Sequence, residues 1–242
     1  MAKQERALRT REALIKSAAT VFDRDGFSVA SLSAISSLAG VSNGALHFHF
    51  ASKAALADSV EDAAADRLHR LIGMREDGAG NALQLLVDTS HDLARRLADD
   101  VVLRAGFELS RQQIRVVSRD LHHEWHQWVA AILERAEREG VLSAVNPEAA
   151  AASVVAATTG FEVLGTHDPR WLSNRTITRF WQLLLPRLAA ASALGDIEAA
   201  GSRTSVPASA PGSGAGGARP VRTPGTVRTA GAPGKDRGGT AP

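Results

Sequence analysis

Residues 31–56, SLSAISSLAGVSNGALHFHFASKAAL, constrain this chain more than any other stretch. Leu32, Ile35 and Leu38 fall on one helical face, Gly40 stands where a helix ends in a residue of positive φ, and Val41 follows to fill the turn. Ser42 is placed to cap a second helix, which has room for only about six residues before the aromatic pair Phe48 and Phe50. A helix that short is unstable alone, so packing must hold it. Ala45, Leu46 and Phe48 are expected to pack back on the first helix, leaving an outer face that is small and polar. Ser42, Asn43, Gly44 and His47 on that face can approach a groove closely, which is the geometry of a DNA-reading helix-turn-helix. An ordinary helical hairpin gives the same helix, glycine, helix pattern, so the neighbouring sequence has to decide.

Upstream, Leu14, Ala18, Val21 and Phe22 form an apolar helical stripe that ends at Asp25, Gly26 and Phe27, completing a three-helix core for the pair. Downstream, Ser52 is placed to cap a further helix with Lys53 beside its N-terminus, where backbone N–H groups and a cation together suit a phosphate.

Residues 8–56 resemble the N-terminal domain of the tetracycline-repressor (TetR) family of bacterial regulators. The resemblance rests on the first helix followed by DGF at 25–27, the hydrophobic-x-x-Ile of Leu32 and Ile35, AGVS at 39–42, and a block carrying Gly44, Leu46, His49, Phe50, Lys53 and Leu56. It implies a DNA-contacting set of Ser31, Ser33, Ser42, Asn43, Gly44, His47, His49 and Lys53. One position departs from the family pattern: a tyrosine usually stands where this chain has His47. An imidazole still donates a hydrogen bond and gains charge when protonated, so a pH-sensitive backbone contact is expected there.

The chain has 242 residues, enough for one small and one medium domain plus a tail, and its 44% hydrophobic content supports a sizeable core. It has no cysteine, which excludes disulfides, thiol catalysis and cysteine-based metal or redox sensing. No early apolar run suits a signal peptide, and the later alanine-rich stretches read as amphipathic helices, so a soluble cytoplasmic protein associated with the nucleoid and not with membrane is expected. The net charge is only +2. Lys3, Arg6, Arg9, Arg11, Lys16, Arg24 and Lys53 nevertheless outweigh Glu5, Glu12, Asp23 and Asp25 over the first 53 residues, so binding to phosphate should fall with salt. Lys3, Arg6 and Arg9 read as a short basic arm ahead of the first helix.

Beyond residue 56 the apolar spacing stays helical: one helix to about 74, a second through Leu83, Leu86, Leu93 and Leu97, and others near 101–118, 120–139, 147–165 and 173–192. Asn146 and Pro147 form a helix start with a capping amide and Pro at the first position. No stretch alternates with period two for long enough to suggest a sheet. The expected fold is all-α, with a three-helix DNA-binding domain at 1–56, a larger ligand-binding and dimerisation domain at 57–195, and a Gly/Pro/Ala-rich tail at 196–242 too poor in large apolar residues to fold.

Within the larger domain, Leu121, Trp125, Trp128 and Ile132 share one face of a helix. Two indoles bring N–H donors that want partners, which suits either plain core or the wall of an apolar pocket. His122, His123, Glu124 and His126 are the only candidates for a metal-responsive or small all-α enzyme reading. The zinc-protease spacing is one residue short, a third ligand is not evident, and no nucleophile, base or phosphate loop recurs; no catalytic residue, metal or cofactor is expected.

Residues 150–189 are similar to the C-terminal region of the γ-butyrolactone receptors of Streptomyces and related actinomycetes, through Thr159, Gly160 and Phe161 in one helix and Phe180, Trp181 and Pro186 in the last. That resemblance implies a repressor released from a palindromic operator by a small apolar ligand, with Trp125 or Trp128 as the anchoring indole and Phe161 beside it. The His47-bearing block is similar to that of pseudo-receptors, which answer to antibiotics or pathway intermediates. A homodimer is expected, because one reading helix spans too few base pairs for specific affinity. Val154, Val155, Phe161, Leu164, Ile177, Phe180, Trp181, Leu184 and Leu185 on the last two helices offer the interface.

Overall fold

Helical periodicity runs through the chain as far as about residue 192, and among the described residues helices are what form. A computed structural model describes residues 2–76, 80–112 and 119–202. In order these are α1 (Ala2–Val29), α2 (Leu32–Leu38), α3 (Asn43–His49), α4 (Lys53–Glu76), α5 (Ala82–Asp99), α6 (Val101–Arg111), α7 (Leu121–Arg138), α8 (Pro147–Gly165) and α9 (Asn174–Leu188), with short 3-10 turns at Pro169–Leu172 and Leu194–Asp196. Among the described residues the sole extended pairing is an isolated antiparallel bridge between Leu142 and Ala189. No described helix is long and apolar enough to cross a membrane.

Side-chain caps set most of the helix starts. Ser31, Ser42, Asn81, Asp120, Asn146 and Ser173 each accept a hydrogen bond from a backbone N–H of the first turn that would otherwise be unsatisfied. Gly26 breaks α1 with φ 75° and ψ 159°, a backbone region open essentially to glycine, and Gly40 turns the chain between α2 and α3 at φ 68°. The basic arm expected ahead of the first helix is itself helical, because α1 begins at Ala2. Arg9 spends its charge on Glu5 one turn earlier.

Two apolar clusters result. The smaller gathers Leu14, Ala18, Val21 and Phe22 of α1 with Ile35, Leu46 and Phe50, and then reaches through Leu56, Ala57 and Val60 of α4 to Val102, Ala105 and Leu109 of α6. The larger takes the later turns of α4 together with α5 and α7–α9. The boundary drawn at residue 56 therefore falls inside α4, which contributes to both clusters. Arg104 of α6 reinforces the junction. Its guanidinium donates to both carboxylate oxygens of Asp23 in α1, at 2.8 and 2.9 Å, and to the carbonyls of Leu97 and Ala98 at the end of α5. The Asp23 hydrogen bond holds the Arg104 pKa above its ordinary value against the opposing effect of burial.

The chain does not stop being ordered at 196. Ile197 is buried, and Gln84, Asp88 and His91 on one face of α5 bind the backbone of Glu198, Ala199 and Ser202. Residues 203–242, the remainder of the expected tail, lie outside the described residues, as do 113–118 of the helix expected at 101–118.

Candidate nucleic-acid interface and ligand core

Seven residues make α3, and only Leu46 among them is fully buried. Ser33 of α2 and Asn43, Gly44 and His47 of α3 are exposed on the side away from the core. Ser31 and Ser42 are exposed too, but their hydroxyls accept the N–H groups of Ala34 and Ala45 as caps. Gly44 has no internal cause: an added Cβ would meet nothing nearer than Ser42 Oγ at 3.8 Å. A helical glycine costs about 0.5–1 kcal/mol relative to alanine, so its use here fits close approach by something outside the chain. His49 is half-buried between Phe48 and Phe50, its ring centroid 5.2 Å from the first and 6.4 Å from the second.

Three expectations about this face need correction. Phe48 does not pack back; it is 82% exposed and, with Arg6, Ala7, Thr10, Ala45 and His49, bounds a shallow open groove between α1 and α3. A helix of two turns can aim only one side chain at the core, and Leu46 takes that place. Leu38, at the last turn of α2, is likewise 54% exposed. Lys53 is not poised for phosphate. Its ammonium donates to the carbonyls of Phe27, Ser28 and Ala30, at 2.7, 3.2 and 2.9 Å, and lies 4.7 Å from the centroid of the Phe27 ring. An ammonium has three protons, and all three are engaged there. The Gly26 break leaves helix-end carbonyls exposed, and a cation suits that negative pole. Phe48 is the residue that sequence reasoning missed; its neighbours His47 and His49 gave no sign that the helix was too short to bury it.

In the larger cluster Trp125 and Trp128 are both buried and stack with centroids 5.1 Å apart. Their N–H groups have different fates. Trp125 Nε1 donates to Thr158 Oγ1 at 3.0 Å, and Trp181 Nε1 donates to Ser90 Oγ at 2.7 Å. Trp128 Nε1 is buried and has no acceptor among the described residues. Such an orphan donor costs about 1–3 kcal/mol, so of the tryptophans buried here Trp128 alone holds a hydrogen bond in reserve. Phe161 of α8 has ring contacts with Trp171 and Phe180, at 6.4 and 5.5 Å. Seven residues after Val154 and three after Thr158, it lies on the flank of the inward stripe of α8 and packs, partly buried, against the larger cluster.

The histidine segment disperses. His122 Nε2 bonds to the buried carboxylate of Glu162 at 2.8 Å, Glu124 pairs with His69 and Arg119, and His123 is exposed. Among the described residues no group of three His, Cys, Asp or Glu side chains could hold a metal ion. Further along, the last two helices divide their apolar surface: Val154, Ile177, Trp181 and Leu185 are core, whereas Leu164, Trp171 and Leu183 are 44%, 39% and 81% exposed.

Comparison with known proteins agrees with this geometry. Residues 14–60 match the family described as bacterial regulatory proteins, tetR family, and residues 80–190 match the tetracyclin repressor-like C-terminal domain. The chain is 32% identical over 206 residues to the A-factor receptor protein of Streptomyces griseus, an alignment covering 83% of this chain and 71% of that one. A solved gamma-butyrolactone receptor described as ArpA-like has a TM-score of 0.71 at 28% identity, covering 81% of this chain and 96% of the other. CprB from Streptomyces coelicolor, solved in complex with its biological operator sequence, has a TM-score of 0.67 at 28% identity, with 79% of this chain and 94% of that one covered.

Proposed function

The chain belongs to the TetR family of bacterial regulatory proteins, and from that premise we propose that it is a homodimeric transcriptional repressor, released from a palindromic operator by a small apolar ligand. It is a regulator and not an enzyme. The ligand is a γ-butyrolactone-type signal, or an antibiotic or pathway intermediate, and the genes controlled belong to secondary metabolism. The protein acts in the cytoplasm on nucleoid DNA. The DNA-facing set is Ser31, Ser33, Ser42, Asn43, Gly44, His47 and His49, joined by Phe48, whose ring suits the methyl group of thymine in the major groove.

One observation carries the ligand half of this reading. Trp128 is buried with an unpaired N–H, and a ligand oxygen is the acceptor it lacks. Trp125, stacked beside it, forms the adjoining wall, with its own N–H held by Thr158. Phe161, partly buried against the larger cluster, is the third ligand-site residue, while the exposed Leu164, Trp171 and Leu183 are offered to a second copy. Binding beside α7 shifts a population: the ligand favours the arrangement in which two heads no longer match successive turns of DNA. The linkage is mechanical as well as thermodynamic, because α4 is one helix through both clusters and Arg104 ties α1 to α5 and α6.

The test uses full-length protein, an operator selected from random duplexes, and alkyl-substituted γ-butyrolactones as probes. Wild type should be released from the operator and show quenched indole emission. Trp128→Phe removes an N–H that has no partner, so it should keep its melting temperature and operator affinity while release needs at least about tenfold more lactone, the weight of one hydrogen bond. Undiminished release by Trp128→Phe would remove Trp128 from the ligand site.

A further inference from the structure

Asn43 stands on the outward face of α3, yet its amide is not free to turn. Ser36 in α2, only 4% exposed, places its Oγ 2.7 Å from Asn43 Oδ1 and 3.0 Å from its other acceptor, the carbonyl of Ser33. The shorter contact is to the amide. The oxygen of Asn43 is thereby turned back toward α2, while Nδ2 makes no hydrogen bond among the described residues. A side-chain amide has an acceptor at one end and two donors at the other, and a free asparagine reads adenine by using both at once, accepting from N6 and donating to N7. With its oxygen tied back, Asn43 offers a groove donors alone.

We propose that Ser36 sets base specificity: it holds Asn43 as a donor-only reader, so that the base beneath it is guanine, whose O6 and N7 are adjacent acceptors, and the two-ended contact with adenine is excluded. This rests on the reading of the chain as an operator-binding protein. Ser36 is a positioning residue, since it acts through Asn43 and is itself too buried to reach DNA.

The experiment selects an operator from random duplexes with the full-length protein, then replaces each base pair in turn. Asn43→Ala should flatten the preference at one symmetry-related pair of positions, where wild type favours guanine over adenine by about tenfold. Ser36→Ala frees the amide and should bring guanine and adenine within about threefold at that position, with preferences elsewhere and the salt slope unchanged. Ser36→Thr keeps the hydroxyl and should restore the preference. A Ser36 that merely supported the fold would instead weaken all duplexes equally. If Ser36→Ala does not fold, Asn43→Asp decides: it keeps an acceptor for Ser36, has no donor, and must lose guanine. The proposal is overturned if the Asn43-dependent position of the wild type prefers adenine or cytosine, if folded Ser36→Ala keeps the guanine preference, or if Asn43→Asp retains it. Selection of no preferred sequence would overturn the operator reading, and this assignment with it.

Discussion

A Cβ built on Gly106 would lie 2.2 Å from the Cβ of Ala64, so α6 crosses α4 at a separation that glycine alone permits. The two helices that meet there both reach into the head: α4 supplies Leu56, Ala57 and Val60 to its core, and α6 supplies Val102, Ala105 and Leu109. Any shift of α6 against α4 would therefore be passed to the head through a contact with no slack. Gly106→Ala should overpack this crossing and cost about 1–3 kcal/mol, read as a lower melting temperature. The pair Gly106→Ala with Ala64→Gly should recover most of the loss, since the removed methyl makes room for the added one. A single variant that melts like wild type would show that the crossing is not tight in solution.

Lys53 gives a sharp contrast between two roles. A phosphate contact and a structural bond predict different salt behaviour, because releasing one phosphate contact changes the slope of log affinity against log salt by about one. Lys53→Met removes the donor to Phe27, Ser28 and Ala30 and should destabilise the protein by about 1–2 kcal/mol, the range for a hydrogen-bonded charge with partial solvent access. Operator affinity measured well below the melting point should keep the wild-type salt slope. A slope reduced by one unit, with stability unchanged, would return Lys53 to the DNA face.

What the sequence revealed and what it hid divide along a physical line. Periodicity reports which residues can be buried, and Leu14, Ile35, Leu46 and Trp125 are legible that way, whereas Trp181, offered to the dimer interface, is core. It also reports caps, because Ser31, Ser42 and Asn146 act on residues three positions ahead. Bonds between distant segments leave no such trace. Trp125 and Thr158 are 33 positions apart and Gln84 and Glu198 are 114 apart, so neither the satisfied indole nor the docked segment at 197–202 could be read from spacing. Phe48 was misplaced for a related reason: an apolar residue announces its hydrophobicity, not which of two neighbouring surfaces it will face.

Gly44 should show stability and function pulling apart. Gly44→Ala replaces a helical glycine at a site with open space, so the fold should gain about 0.5–1 kcal/mol. Operator affinity should nevertheless fall, by more than affinity for random duplex, because the methyl group projects from the face that meets the groove. A variant both more stable and equal in operator binding would remove Gly44 from the interface.

The segment after α9 predicts where the chain can be cut. Termination after Ser202 leaves Ile197 in the core and keeps the bonds from Gln84, Asp88 and His91 to the backbone of Glu198, Ala199 and Ser202. Residues 203–242 contain no Leu, Ile, Phe, Trp or Met, so their removal should leave the melting temperature unchanged within error. Termination after Ala193 should cost on the order of 2 kcal/mol, because it strips a buried isoleucine and the polar clasp together. The two truncations differ by nine residues, so comparing their melting curves isolates the clasp from the tail. Equal melting temperatures would mean that residues 194–202 add nothing to the core they cover; a large loss on cutting after Ser202 would mean that the later residues take part in the fold.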